Sequence, residues 1–178
     1  AIVGTPIPTT TYMLSTVEIR AKRSNDALGC SAENIYTWTI NSNVHDVTGT
    51  KGSYCTIQDA INAGSTATND VLEVESGTYN AQVTVNKAVT IKGIGVTKPL
   101  INGTGTDRVF TISSPNVTLD NLNIQFNQGS VLHGIYAPTT ATYNNLTVKN
   151  CLIEGTGTTG STSFFSMGIR LGSFGGVA

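Results

Sequence analysis

The chain has 178 residues, 12% of them charged, and a formal net charge of −1 at pH 7. This near-neutral balance leaves no basic footprint for nucleic acid or an anionic membrane surface. No apolar run approaches the 18 or so residues of a membrane span, and the wealth of Gly, Thr, Asn and Ser suits β structure with many turns.

Residues 1–14, AIVGTPIPTTTYML, hold two prolines and a threonine run and read as a linker or the end of a preceding module. No signal-peptide pattern is present, so an exported protein would be represented here by its mature form or an excised piece. STVEIRAK and NIYTWTI alternate well enough to predict two strands within an otherwise irregular segment, residues 1–52. Cys30 and Cys55 flank a stretch containing Trp38 and are candidates for a disulfide, which would suit an exported protein. His45 stands beside Asp46 with no visible partner, and no metal site is read there.

SYCTIQDAINAGS predicts a short amphipathic helix. Thr56 and Asp59 have capping-box spacing, Ile57, Ala60 and Ile61 form an apolar stripe, and Gly64 is the expected stop. Such a helix can cover the first layer of a repeating β structure, shielding apolar side chains and strand edges from water. Leu72 with Val74 and Val83 with Val85 then mark two strands of a first, irregular turn.

A repeat follows. VTIKGIG starts at Val89, VTLDNLNIQ at Val117 and LTVKNCLIE at Leu146, giving steps of 28 (117 − 89) and 29 (146 − 117) residues. Periods of this size signal a solenoid. Val117 and Leu119 alternate like a half-buried strand, as do Leu122 and Ile124, but Asp120 and Asn121 put the pairs out of step. The chain must therefore turn a corner there to keep both pairs inside. Gly93, Asn121 and Asn150 occupy the corner slot, where positive φ is expected and Gly and Asn tolerate it best.

Further short strands, PLIN from Pro99 and VFTI from Val109, are linked by small polar residues. The pattern describes a parallel β-helix with turns stacked about 4.8 Å apart. It places Val89, Val117 and Leu146 in one inward column and Ile91, Leu119 and Val148 in another, and predicts an amide ladder between Asn121 and Asn150. Cys151 falls where Leu122 lies in the preceding turn and is read as a small inward apolar residue.

YCTIQDAINA followed by VLEVESGTYNAQVTVNKAVTIKGIG resembles the opening of right-handed parallel β-helix domains of the pectin-lyase-like superfamily. It is particularly similar to those in large bacterial surface and adhesin-type proteins exported by the type IX route. The resemblance covers about residues 53–171 and implies an all-β fold, a right-handed parallel β-helix with a short N-terminal capping helix, over residues 53–178. The closing LGSFGGVA carries no capping device, so the β-helix is expected to continue beyond the fragment.

The superfamily spans lyases, hydrolases, esterases, adhesins and tailspikes, so fold alone does not assign activity. Its lyases cluster carboxylates around calcium beside a base, and its hydrolases pair acidic side chains. Here the predicted outward column is Lys92, Asp120, Lys149, one carboxylate between two lysines, which reads as a charge ladder. HGIYA from His133 and MGIRL from Met167 align, placing Tyr136 beside Arg170 on the outside and His133 at the edge. An aromatic face and a guanidinium suit a carbohydrate ligand. Asn-x-Thr triplets at Asn102, Asn116 and Asn145 read as corner chemistry, and the file Thr90, Thr118, Thr147 is too interrupted by charge to be an ice-binding face.

The expected function is a non-catalytic module of a secreted or cell-surface bacterial protein, a rigid spacer or an adhesive surface touching a polysaccharide or cell-surface glycan. Its other partner is the rest of a larger polypeptide, and no cofactor or metal is implied. The competing reading is the N-terminal part of a polysaccharide lyase or glycoside hydrolase with its catalytic strands beyond residue 178.

Overall fold

The computed structural model describes residues 15–22, 33–40, 42–48, 52–104, 108–127, 133–138, 144–156 and 167–172. Among these the chain is all-β with one short helix. It forms two compact units, Ala1–Ser42 and Asn43–Ala178. In the first unit the two predicted strands, β1 (Ser15–Lys22) and β2 (Glu33–Ile40), pair antiparallel with Ser15 opposite Ile40. Residues 1–14, Cys30 and residues 173–178 lie outside the described residues.

The second unit opens with β3 (Val44–Asp46), β4 (Ser53–Tyr54) and α1 (Ile57–Asn62). A first pass of strands follows, β5 (Val71–Val74), β6 (Thr78–Asn80) and β7 (Val83–Val85). The second pass is β8 (Thr90–Gly93), β9 (Leu100–Asn102) and β10 (Arg108–Ile112). The third is β11 (Thr118–Asp120), β12 (Asn123–Asn127) and β13 (His133–Ala137). The fourth is β14 (Thr147–Lys149), β15 (Leu152–Thr156) and β16 (Met167–Leu171).

Each pass visits three sheets in the same order. The sheets run β14-β11-β8-β5-β3-β4, β15-β12-β9-β6 and β16-β13-β10-β7. Strands from successive passes pair parallel, and among the described residues of this unit only β3 and β4 join antiparallel. The registers align apolar rows: Leu72, Ile91, Leu119 and Val148 in the first sheet, Ile101, Ile124 and Ile153 in the second, and Val83, Phe110, Ile135 and Ile169 in the third. The first three residues of each of the outer rows, with Ile101 and Ile124, are buried in one core. At roughly 1.5–3 kcal/mol per fully buried Val, Leu, Ile or Phe, these rows are the main source of cohesion.

The expected strand columns are therefore present, with Val89 and Val117 buried and Leu146 half-buried against the same core. Cys151 also packs there, its Sγ 3.6 Å from the Leu119 carbonyl, and burial pushes its thiol pKa up. A small, inert, inward residue fits that position.

Corners carry the left-handed backbone. Every described non-glycine residue with positive φ is an asparagine: Asn69, Asn116, Asn121, Asn145 and Asn150. The registers put Asn121 directly after Asp120 and Asn150 directly after Lys149, at the turn from the first sheet to the second. Asn116 and Asn145 stand at the turn from the third sheet to the first. Their amides form a ladder, with Asn145 Nδ2 donating to Asn116 Oδ1 at 2.9 Å, and Asn102 Nδ2 donates to Asn80 Oδ1 at the same distance. The Asn-x-Thr triplets thus begin on residues engaged in corner bonding.

Two expectations about this corner are corrected. The amides of Asn121 and Asn150 do not ladder with each other: Asn121 Nδ2 donates to the Gly93 carbonyl and Asn150 Nδ2 to Asp120 Oδ1, each at 2.9 Å. Lys98 instead joins them, its Nζ donating to Asn121 Oδ1 at 2.8 Å and to the Asn150 carbonyl. Gly93 is also not a positive-φ residue; Gly95, at φ 100, is. A Cβ on Gly93 would lie 2.2 Å from the Asn121 carbonyl oxygen and 2.6 Å from Pro99 Cδ, so the position needs glycine for close approach. In this pass residues 94–99 bulge out where later passes use a tight asparagine corner.

The helix forms as predicted. Thr56 is the N-cap, its hydroxyl accepting from Asp59 N–H at 3.0 Å, and Ile57, Ala60 and Ile61 are buried. It ends at Ala63, one residue before Gly64, and Lys87 Nζ donates to the Ala63 and Thr66 carbonyls, capping the C-terminus with a cation. Gln58 does something the sequence did not announce. Its Oε1 accepts from Thr84 N–H at 2.8 Å and its Nε2 donates to Thr84 C=O at 3.2 Å, so one amide mimics a neighbouring strand along the outer edge of β7.

Asn121→Val should lower stability by about 2–4 kcal/mol, since a β-branched residue is strained at φ 57 and two side-chain hydrogen bonds are lost. Asn121→Gly relieves the strain and should recover part of that loss. Chemical denaturation of both variants tests the corner assignment, and equal midpoints for Asn121→Val and the parent would refute it. Gln58→Ala should cost about 0.5–1.5 kcal/mol, since water can replace these exposed hydrogen bonds at the strand edge, measured as a shift in the same midpoint.

Candidate functional site

The outer face of the first sheet carries one continuous row of polar side chains. Strand register aligns Ser53, His45, Glu73, Lys92, Asp120 and Lys149 across β4, β3, β5, β8, β11 and β14. Lys92 Nζ lies 3.2 Å from Glu73 Oε1, and Lys149 Nζ 3.4 Å from Asp120 Oδ2. The expected column Lys92, Asp120, Lys149 is thus a ladder of alternating charge. Glu73 extends it on the near side, a residue missed because the step from Glu73 to Lys92 departs from the later period.

Asp120 is not placed to act as an acid. Burial would raise its carboxyl, but hydrogen bonds from Asn150 and Lys149 and the charges of Lys149 and Lys92 outweigh that and hold it below its ordinary range. A general acid for glycoside cleavage needs the opposite shift. Glu73 lies two strand spacings away, about 9.6 Å, with the Lys92 rung between the two acids. This part of the row stabilises the sheet and offers no acid pair.

At the near end, His45 has partners the sequence did not reveal. Its Nδ1 lies 2.8 Å from Ser53 Oγ and its Nε2 3.1 Å from Glu75 Oε1. His45 is 5% exposed, Ser53 is exposed, and the Glu75 side chain is 37% exposed. Only the antiparallel addition of β3 and β4 creates this contact, and no parallel repeat predicts it.

The third sheet carries the predicted carbohydrate-contacting residues. Tyr136 on β13 is in register with Arg170 on β16, as expected, and His133 is opposite Arg108 on β10. The Arg108 guanidinium lies 3.9 Å from the Tyr136 ring centroid and that of Arg170 5.6 Å. Arg108 was missed because its strand was read as starting at Val109. Since β13 lies between β10 and β16, the two guanidinia approach Tyr136 from neighbouring strands on either side.

His133 departs from expectation: it is 2% exposed and buried, not at an open edge. Its ring stacks on Tyr136 with centroids 5.7 Å apart and planes at 24°. Arg170 Nη1 lies 3.1 Å from His133 Nε2, and because a guanidinium only donates, Nε2 is the acceptor and the ring proton sits on Nδ1. The cluster is thus internally bonded, with Arg108 against one region of the ring where a sugar would otherwise stack. Each cation–π contact contributes about 0.5–2 kcal/mol according to its desolvation.

Of the other expected residues, Cys55 is an exposed free thiol, and its expected disulfide partner Cys30 lies outside the described residues. Among the described residues no group of three or more His, Cys, Asp or Glu side chains could hold a metal ion, and no helix is long and apolar enough to cross a membrane. No protein-family model matches the chain, and no curated protein or solved structure is significantly similar to it.

Asp120→Asn isolates the charge of the ladder, because the amide oxygen can still accept from Asn150. The carboxyl of Asp120 titrates lower in the folded chain than in the unfolded one, so its contribution is present above the ordinary carboxylate range and fades as pH falls through the folded value. At pH 7 the variant should lose at most about 1 kcal/mol, as expected for a partly exposed ion pair. Denaturation curves should separate at pH 7 and converge in acid.

Proposed function

We propose that the four passes of strands β5–β16 form a right-handed parallel β-helix whose three faces are the three sheets. The reading is supported by four passes through the sheets in one fixed order with parallel pairing between passes. The right hand follows from the strong rule for parallel crossover connections. The likeness of the sequence to pectin-lyase-like domains of type IX-exported surface proteins favours the same architecture.

Its function on this reading is that of a module in a secreted or cell-surface bacterial protein that cleaves no glycosidic bond, a stiff support that presents a glycan-contacting face. The single observation that carries the contact is the cluster of Arg108, His133, Tyr136 and Arg170 on neighbouring strands. Guanidinium N–H groups and a phenol suit the hydroxyls and carboxylates of a polysaccharide better than an apolar ligand. With Arg108 against the Tyr136 ring, recognition would run through hydrogen bonds at the rim of the cluster more than through broad ring stacking.

A polysaccharide panel with neutral and uronate members, read by glycan array and titration calorimetry, tests this. Weak binding should be lost in Tyr136→Ala and Arg170→Ala while circular dichroism shows that both variants keep the β fold. Retention of full binding by both variants would exclude the cluster as the contact. The same panel should show no glycosidic cleavage with or without calcium, and cleavage lost on Asp120→Asn would instead move the protein to the lyase and hydrolase class.

A further inference from the structure

We propose a second site at the near end of the polar row: Ser53, His45 and Glu75 form a hydrolytic triad for carboxylic esters. The argument begins with strand pairing. Asp46 N–H donates to the Gly52 carbonyl at 2.9 Å, and Val44 stands opposite Tyr54. Hydrogen-bonded and non-hydrogen-bonded pairs alternate along an antiparallel ladder, so His45 and Ser53, which lie between these two pairs, are a non-hydrogen-bonded pair. Side chains of such pairs approach most closely, which explains the 2.8 Å from Ser53 Oγ to His45 Nδ1.

The third member is held from the other side. Glu75 N–H donates to the Asn43 carbonyl at 2.9 Å, fastening the residue after β5 to the start of β3, and the Tyr79 hydroxyl donates to the Glu75 carbonyl at 2.9 Å. Burial, together with the charge of Glu75, pushes the Tyr79 phenol up to about 12, so this donor keeps its proton. The Glu75 carboxylate then lies 3.1 Å from His45 Nε2. A nucleophile, a base and a group that orients the base are the parts such chemistry needs.

Two further features fit. Ser53 is an exposed residue, whereas His45 is 5% exposed, so the nucleophile lies at the surface while its base is sheltered. In a non-hydrogen-bonded pair the backbone N–H points away from the partner strand, and among the described residues β4 is the last strand of its sheet. The Ser53 N–H therefore lies on the open edge beside its own hydroxyl, where it can donate to the oxyanion of a tetrahedral intermediate. The imidazole is turned relative to serine proteases, with Nδ1 toward the serine and Nε2 toward the acid, and either nitrogen can serve as the base.

The step balances with water as the only co-reactant. Ser53 Oγ bonds to the ester carbonyl carbon as His45 Nδ1 takes the hydroxyl proton, while His45 Nε2–H keeps donating to the Glu75 carboxylate. Collapse breaks the carbonyl carbon–alkoxy bond, His45 returns the proton to the leaving alcohol, and an acyl-Ser53 remains. Water, deprotonated by His45 Nδ1, attacks the acyl carbon, the acyl carbon–Oγ bond breaks, and His45 returns the proton to Ser53 Oγ as the carboxylic acid leaves. Because Ser53 sits on an exposed sheet edge, the substrate class is a sterically accessible carboxylic ester.

The full chain is treated with a fluorophosphonate probe and mapped by peptide mass spectrometry, and p-nitrophenyl acetate hydrolysis is followed against a buffer blank. Expected results are an adduct on Ser53 and hydrolysis that falls to the blank in Ser53→Ala. His45→Gln should slow turnover about 10²- to 10⁴-fold, the range for loss of a general base. Glu75→Gln, a change at a positioning residue, should lower kcat and leave KM unchanged. Adduct mapping on the unaltered chain does not depend on any variant folding. Absence of label on Ser53, or hydrolysis undiminished in Ser53→Ala, would overturn the assignment, and neither result bears on glycan contact by the Tyr136 cluster.

Discussion

A β-strand alternates its side chains with a period of two, so a chain that bends between strands must shift that alternation or turn its next apolar set toward water. The asparagine corner meets this constraint. In the third pass Leu119 ends one inward set and Leu122 and Ile124 begin the next, with Asp120 and Asn121 between them, and Asn121 at φ 57 makes the bend. Asn150 does the same one pass later. The aligned core rows depend on this local backbone choice, which asparagine makes at low cost because its short polar side chain tolerates the left-handed region and bonds nearby carbonyls and carboxylates.

Once rows align inside, they align outside as well. The parallel register that stacks Ile91 on Leu119 also stacks Lys92 on Asp120, which makes an alternating charge ladder from residues 28 apart (120 − 92). The same rule brings Tyr136 between Arg108 and Arg170. A chain with 12% charged residues thus concentrates much of its surface chemistry into a few rows.

Edges are handled separately from the rows. α1 buries Ile57, Ala60 and Ile61 in the core, and Gln58 meets the Thr84 backbone with its amide. β3 and β4 cover the other near edge, where the reversal from parallel to antiparallel brings His45 into contact with Ser53 and Glu75. The proposed second site is a product of this edge treatment, since a further parallel strand would have placed a different set of residues there.

What the sequence determined by itself was everything encoded within a few neighbouring residues: the strand alternation of each repeat, the capped helix with its buried stripe and the asparagine corners, with the pairing of Tyr136 and Arg170 legible from the matching HGIYA and MGIRL. These depend on local backbone preference and period-two patterning, which are legible along the chain. Only the tertiary structure decided what depends on unequal steps between passes. The third sheet advances 25 residues from Phe110 to Ile135 but 34 from Ile135 to Ile169, and the first sheet only 19 from Leu72 to Ile91. Because no fixed period spans such steps, Arg108, Glu73 and the buried place of His133 were not legible. Gly93 was assigned to the right column for the wrong reason, its lack of a Cβ being required by Asn121 and Pro99, which the fold alone brings against it. Nor could periodicity place Ser53 against His45, because antiparallel strands added at an edge obey cross-strand pairing and not the repeat.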